Sequence, residues 1–596
     1  MRPELKPINI QPGLYTLTTD REAKARWTDG NKVRFQHGLA QKIGGWAKAG
    51  SNTFNGKARA LVDWQTLGRV KWIGAGTHTK LYVYDVGGVY YDVTPVSSSG
   101  TLGADPIDTT NTSTSVNISH TAHGRAVGDA VIFSGAAAVG GITISGAYTV
   151  TTVVGADDYT ITHSSAATST ATGGGGAVAY TYLLAVGSES SIFGYGYGAD
   201  TFGSSTYGDA RTVSSILTFL RIWSVAQWGD DLIANPRGGA IYLWDESGGT
   251  GARAAAISGT PTTGYGIFVS EEDRRLIVLG AHTGSASDPM FLRWSDDDDY
   301  TTFTVGPDTA AGTKRFTIGN ELLCGVKVAG GILIHSDAYA WKMTSIGPPF
   351  YYQFDPMGDN GALMGPNAAV DVDGRAYWMG DRNFFVYDGA INVLPCDVWP
   401  TVFENINRVQ KFKVYAGFNK VHREVWWVYP SEGTEECDRY VLYNIDERTW
   451  SFGTLARTAY IGDSKLFSGP FAAGTNGYLY DHEFETDDDG AAMEAYVESG
   501  GIDIGEGDSI MHVGKAIPDF KELTGFCNLT LKGKAYPQSS EEITNGPHAI
   551  ASTTEYINPR MRARQISIYL ESDQVDDHWR FARIRLELRP HGRRMG

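Results

Sequence analysis

Four short stretches of this sequence share one design, an aromatic-rich alternation that ends in Asp. They are LYVYD (81–85), IYLWD (241–245), FFVYD (384–388) and GYLYD (477–481). Each follows a polar or Gly-containing turn: GTHTK, PRGGA, GDRN and GTN. Upstream of each turn lies another short apolar run: VKWIGAG, DDLIAN, RAYWMG and KLFSGPFAAG. More degenerate copies occur at FLRWSD (291–296), AYAWKM (338–343) and YVLYNID (440–446). From Asp245 onward the copies recur roughly every 45–50 residues, apart from a shorter last step, and that is the length of a four-stranded propeller blade.

One such strand–turn–strand unit alone exposes two edges and an apolar face. Radial packing buries the face against the next unit and protects the edges. The expected fold is therefore all-β, a β-propeller of about five to seven blades. An open array of β-sandwiches would bury the same faces and is the competing arrangement. Gly at 73 residues and aromatics at 12% fit a turn-rich β protein. Asp85, Asp245, Asp388, Asp446, Asp481 and Trp450 are expected to pin blade turns. A turn carboxylate accepts from backbone N–H groups, and the indole packs between blades.

A chain of 596 residues exceeds one ordinary core, so two to four domains are expected. Composition divides it into an N-terminal arm with first strands (1–50), the propeller (51–100 and 181–490), an inserted small β-barrel (101–180) and a C-terminal β-sandwich-like module (491–596). The insertion is rich in Thr, Ser, Ala and Gly, yet GDAVIFSG (128–135) and GAYTVTTVVGADDYTITH (146–163) alternate like strands. At the C-terminus, RFARIRLELRP places Phe581, Ile584, Leu586 and Leu588 against Arg583, Arg585, Glu587 and Arg589. With Arg580, Arg593 and Arg594 these arginines form a basic rim on an acidic chain, a candidate for docking an acidic neighbour; a solvated sheet face is the plainer reading.

The formal net charge of −17 argues against a duplex DNA-binding surface, which needs clustered Lys and Arg. It serves solubility, or an acidic wall past which nucleic acid slides. Cys324, Cys396, Cys437 and Cys527 are scattered, with no CxxC pair, which fits a reduced, cytoplasmic folding history. The N-terminus lacks an apolar signal-peptide core, and AVAYTYLLAVG and SSILTFLRIW are too short to span a bilayer.

The chain shows no phosphate-binding P-loop, no G-x-S-x-G elbow and no H-E-x-x-H helix. His120 and His123 have metal-ligand spacing but no neighbouring carboxylate or Cys, so a loop pair without metal is expected. The acidic runs Asp296 to Asp299, Asp371 with Asp373, and Asp487 to Asp489 read as solvated loops, with Ca²⁺ as the lesser alternative. YNIDERTWSFG (443–453) approaches the Asp-box S-x-D-x-G-x-T-W of sialidase propellers, but Asp446 stands four residues before Trp450 rather than five. Asn444 replaces the Ser and the Gly is missing, so a structural turn is expected and sugar hydrolysis is not. The expectation is no enzyme, no catalytic residue, no metal and no cofactor.

Three stretches carry a resemblance: WTDGNKVRFQHGLAQKIGGW (27–46), the run from Phe291 to Gly347, and the run from Ile557 to Arg594. In order and pattern the chain resembles the tail hub, or nozzle, of short-tailed bacteriophages, also called the packaged-DNA stabilisation protein. The similarity leaves out the 101–180 insertion. It implies a structural virion protein, assembled in the host cytoplasm, that forms a ring of usually six copies below the portal and adaptor. Such a ring extends and closes the DNA channel and retains packaged DNA until ejection. The implied partners are further copies of the chain, the adaptor and portal, tail fibre or needle proteins, and viral DNA passing without sequence-specific contacts. The N-terminal arm or the basic C-terminal rim would grip the adaptor. The alternatives are a tail-associated β-propeller that binds or cleaves host glycans, and a hub of a long-tailed phage.

Overall fold

In a computed structural model of the chain, residues 4–19, 22–85, 87–193, 217–464, 469–503, 509–590 and 592 are described. The fold is all-β: a β-propeller with an inserted small β-barrel and a β-sandwich. Seven four-stranded antiparallel sheets occur among the described residues. Blade 1 is Ala58–Gln65, Lys71–Thr77, Leu81–Asp85 and Tyr90–Asp92; blade 2 is Trp223–Trp228, Asp231–Pro236, Tyr242–Trp244 and Ala255–Ala256. Blade 3 is Gly266–Ser270, Arg275–Leu279, Phe291–Trp294 and Gly312–Arg315; blade 4 is Leu322–Val328, Gly331–Ser336, Ala340–Gly347 and Tyr351–Gly358. Blade 5 is Ala369–Val372, Arg375–Met379, Phe384–Tyr387 and Ile391–Leu394; blade 6 is Tyr415–Asn419, Glu424–Tyr429, Arg439–Asn444 and Thr449–Thr454. All seven aromatic stretches found in the sequence are third strands of these blades. Blade 7 has three strands from its own segment, Arg457–Ile461, Phe471–Gly474 and Leu479–His482, and takes its fourth, Trp46–Lys48, from the N-terminal region.

The chain divides into two compact units, Met1–Ser51 with Leu323–Gly596, and Asn52–Leu322. Within the second, blades 1 to 3 meet through their first strands. Gly76 lies where a Cβ would strike the Trp223 ring at 2.5 Å, so the bare backbone admits the indole. That indole donates to the Thr77 carbonyl at 2.8 Å, and the Trp64 indole of blade 1 donates to Asp230 O at 3.0 Å. Each Trp thus buries a large apolar surface between blades and satisfies its one polar atom on the neighbour's backbone. The same device recurs in the first unit, where the Trp427 indole reaches Ala368 O at 3.1 Å.

The inserted barrel lies between blades 1 and 2. Its eight strands run from Val96–Thr101 to Ala179–Leu183, and the sheet encloses its own core of Ile107, Val116, Ile118, Val131, Phe133, Tyr159 and Ile161. His120 and His123 face different partners: His120 Nδ1 contacts the Tyr182 hydroxyl at 2.6 Å and His123 Nε2 contacts Gly155 O at 3.0 Å.

The sandwich is built from both ends of the chain. One sheet, here the hairpin sheet, joins Val33–Gln36, Leu39–Lys42, His578–Pro590, Met511–Thr524 and Met561–Ala563, with Glu4–Ile8 added on His578–Pro590. The other, the cleft sheet, joins Gln11–Leu14, Arg26–Asn31, Ala495–Ser499, Gln565–Ser572, Cys527–Lys534 and Glu542–Ile550. Period-two alternation turns Val497, Leu529, Leu531, Ile566, Ile568 and Leu570 inward onto Val513, Trp579, Phe581, Ile584 and Leu586. The C-terminal module is therefore not self-contained, because the segment before residue 50 supplies strands to both of its sheets. No helix among the described residues is long and apolar enough to cross a membrane.

Candidate functional site

The outward face of the cleft sheet carries a cleft of about 230 Å³ lined by Thr28, Asp29, Glu498, Lys532, Lys534 and Ser567, among others. The alternation that buries Val497 and Ile568 turns Tyr496, Glu498, Ser567 and Tyr569 outward, each of them half-buried. Asp29 and Glu498 are direct cross-strand partners, as are Lys532 and Ser567. Lys532 Nζ donates to Glu498 Oε2 at 2.5 Å, and Ser567 Oγ donates to Oε1 at 3.1 Å, so this carboxylate is fixed on both oxygens. Asp29 accepts from the Gly30 N–H at 2.8 Å and from the Tyr496 hydroxyl at 3.3 Å. Burial pushes the Asp29 carboxyl above its ordinary value, and the Glu498 charge adds to this. Burial and the Asp29 charge push Tyr496 up to about 12. The Tyr496 and Tyr569 rings stack at 5.4 Å, and the Lys532 ammonium sits 4.1 Å over Tyr569. Two carboxylates, two ammonium groups and hydroxyls thus line the cleft, and the tyrosine pair stands on the same outward side of the sheet. Such a set offers donors and acceptors for a hydroxyl-rich ligand.

A second ionisable cluster is sealed. Arg34, on Val33–Gln36, donates through Nε and a terminal nitrogen to Glu424 at 2.9 and 3.1 Å, and through its other terminal nitrogen to Glu483 Oε2 at 2.8 Å. Asn419 donates to Glu483 at 3.0 Å and His422 lies 3.3 Å from it. Burial pushes Glu424 up. Burial opposes ionisation at Glu483 too, but the charge and hydrogen bonds of Arg34 outweigh it and hold that carboxyl well below the usual range. The Arg34 side chain is 1% exposed and Glu424 0%, so the cluster admits no ligand; it clamps a sandwich strand to blades 6 and 7.

The residues expected to pin turns divide. Asp85 accepts from the Val89 N–H at 3.0 Å and the Tyr91 hydroxyl at 3.1 Å, and Asp245 accepts from the Ser247 N–H at 2.9 Å. Asp388 accepts from Asn392 at 3.1 Å. Asp446 does not cap its turn: Asn444 accepts from the Asp446 and Glu447 N–H groups at 3.1 and 2.9 Å, while Asp446 is exposed, 3.6 Å from Arg423. Asn444 ends its strand pointing inward, so its carbonyl is the acceptor nearest the turn. Asp481 lies inside the strand Leu479–His482 and not in a turn. Trp450 is buried between blades 5 and 6, 4.7 Å from the Phe384 ring, with its indole on Pro395 O at 2.8 Å.

The proposed docking arginines also divide. Arg583, Arg585 and Arg589 are exposed on one face of the hairpin sheet, with Arg583 3.5 Å from Asp519 and Arg589 2.5 Å from Glu587. Arg580 is not on that rim. It is buried and donates to Gln36 O at 3.0 Å, because its register places it beneath the turn after Val33–Gln36. Arg593 and Arg594 lie outside the described residues. The acidic runs are taken up locally: Asp296 accepts from Ala310 N, Asp298 pairs with Arg274, Asp371 accepts from Gly374 N, and Asp489 pairs with Lys48. Among the described residues no group of three or more His, Cys, Asp or Glu is arranged to hold a metal ion.

No protein-family model matches the sequence, and no curated protein does. Solved structures do. A phage phi92 endosialidase matches at 13% identity over 80% of this chain and 74% of its own, with a TM-score of 0.20. YCF48 bound to D1 peptide matches at 10% identity over 64% and 97%, with a TM-score of 0.29. A family 43 glycoside hydrolase, an arabinoxylan arabinofuranohydrolase from Bacillus subtilis, matches at 11% identity over 82% and 96%, with a TM-score of 0.21. The expectation that this chain is not an enzyme is withdrawn on this ground, since glycan-cleaving enzymes stand among the matched structures. At these identities they transfer no residue-level role. The cleft was missed in the sequence because Asp29 and Glu498 stand far apart in it. The usable signal was the outward position of Glu498 in AYVES and of Lys532 in LTLKGK.

Proposed function

We propose that this chain is a tail-associated β-propeller protein that recognises host glycans through the cleft of its sandwich. The observation that carries the reading is the fixed set Glu498–Lys532–Ser567 beside Asp29 and the Tyr496–Tyr569 stack. Sugar hydroxyls pair with groups held in place before binding. The tail association is supported by the pattern resemblance of residues 27–46, 291–347 and 557–594. The test is binding of the full chain to a panel of bacterial surface oligosaccharides, with a reducing-end assay run in parallel. Wild type should bind at least one glycan, and Lys532→Met and Glu498→Gln should weaken it tenfold or more. No binding by wild type, or variants that bind unchanged, would reject the cleft. Release of reducing ends lost in Asp29→Asn or Glu498→Gln would extend the reading from binding to cleavage.

A second reading, the ring-forming hub, is favoured by one observation: the exposed row Arg583, Arg585 and Arg589 on a chain of net charge −17. Negative-stain images of the chain mixed with portal–adaptor complexes test it; a sixfold cap supports it and free protein rejects it.

A further inference from the structure

The strand Arg26–Asn31 carries one extra residue. Trp27 pairs with Ser499 and Asp29 with Glu498, so Ala495–Ser499 sets nothing opposite Thr28. In an unbroken strand Trp27 and Asp29 would face the same way. The bulge at Thr28 separates them: Trp27 is buried in the sandwich core, and Asp29 turns outward into the cleft beside Glu498. The two carboxyl groups then meet different partners. Glu498 is held by the Lys532 ammonium on one oxygen and by the Ser567 hydroxyl on the other. Asp29 accepts from neutral groups, the Gly30 N–H and the Tyr496 hydroxyl. The charges facing Asp29 are Glu498 on the adjacent strand and Lys532 on Cys527–Lys534. Facing Glu498 are Asp29, Lys532 and, from Gln565–Ser572, its cross-strand partner Tyr569.

Neighbouring like charges oppose each other's ionisation, and a cation beside one of them decides which keeps its charge. The proton that two adjacent carboxyls share therefore belongs on Asp29. A carboxylic acid beside a fixed carboxylate is the pair that glycosidic cleavage uses, one to protonate the leaving oxygen and one to attack the anomeric carbon. We propose that the cleft cleaves the glycan it recognises, with Asp29 as general acid and base and Glu498 as nucleophile. This rests on the glycan reading and adds bond cleavage to it. Direct cross-strand partners have Cβ atoms about 4.5–5.5 Å apart, which fits the roughly 5–5.5 Å carboxyl spacing of retaining cleavage. In the first step the Asp29 proton passes to the glycosidic oxygen, the bond from that oxygen to the anomeric carbon breaks, and a Glu498 oxygen forms an ester to that carbon. Water then attacks the same carbon while Asp29 takes its proton. The ester breaks, Glu498 returns to carboxylate, and the sum adds one water across the bond. Burial and the Glu498 charge raise the Asp29 carboxyl, so the acid is lost only as pH rises through that raised value. At low pH, protonation removes the attacking carboxylate.

The test uses the full chain and the same panel of bacterial surface oligosaccharides. Binding is measured beside reducing-end release across a mildly acidic to neutral pH series, and proton NMR identifies the first-formed anomer. The expected result is that a bound glycan is cut, that its new reducing end keeps the anomeric configuration, and that kcat/KM is bell-shaped in pH. Asp29→Asn should lower kcat/KM by roughly 100-fold or more and abolish the alkaline limb. In Glu498→Ala, added azide should restore turnover and yield a glycosyl azide of the opposite configuration, a product that a merely structural role would not give. Binding by wild type without cleavage at any pH overturns the proposal and leaves glycan recognition standing. Absence of binding overturns recognition, and the proposal falls with it. Cleavage with inversion, cleavage undiminished in Asp29→Asn, or no azide product from Glu498→Ala overturns the assigned roles.

Discussion

Arg34→Met removes the cation that satisfies two buried carboxylates. The methionine nearly fills the space, so little cavity penalty is added. What remains is Glu424, fully buried, and Glu483, nearly so, with their shared partner gone. Breaking a buried ion pair from one side costs about 3–5 kcal/mol, because an uncompensated charge is left in a poor solvent. Asn419, His422 and the Trp426 indole, which donates to Glu424 at 3.1 Å, offset part of that cost. We expect the lower end, about 3 kcal/mol at pH 7. The sign with pH follows from the carboxylates. In wild type, Glu483 has a depressed folded pKa, so its stabilising contribution is present above the ordinary carboxylate range and is lost only as pH falls through that depressed value. In the variant, burial without Arg34 raises both carboxyls, which protonate as pH falls. The deficit relative to wild type should therefore be largest near pH 7 and shrink toward pH 4. Urea unfolding followed by Trp fluorescence reads this through Trp426, stacked beside Tyr440 and Tyr460. A deficit below about 1 kcal/mol, or one that does not change with pH, would refute the view of Arg34 as a clamp.

Asn444→Ala should destabilise the chain by about 1–2 kcal/mol, since two turn N–H groups lose their acceptor, whereas Asp446→Ala should change it by less than about 0.5 kcal/mol; thermal unfolding of the two variants compares them directly. Asp29→Asn keeps an acceptor for Gly30 and Tyr496. Because the folded pKa of Asp29 is raised, its contribution is present below the ordinary carboxylate pKa and lost as pH rises through the folded value. The variant should lack that loss, and a stability profile from pH 4 to 7 with the same slope as wild type would contradict it.

Much of the architecture was legible because blade strands are local. A third strand such as FFVYD is a short aromatic alternation between turns, and it stays one wherever the blade sits. The turns were less legible. Asp85 and Asp446 close similar aromatic stretches of the sequence, but the strand before Asp446 ends at Asn444, and which side chain caps depends on whether Asn444 turns inward, which is set by register and not by composition. Arg580 reads as one more arginine of a basic strand until the fold lays the strand Leu39–Lys42 alongside it.

The sequence by itself determined the class of building block and its repetition, because period-two alternation and turn chemistry act within a few residues. Only the tertiary structure decided that Trp46–Lys48 completes blade 7, that both ends of the chain share one sandwich, that Arg34 meets Glu424 and Glu483, and that Asp29 stands opposite Glu498. Each of these joins residues hundreds of positions apart. Such pairings are selected by burial and charge in the assembled whole and leave no periodic trace in the chain.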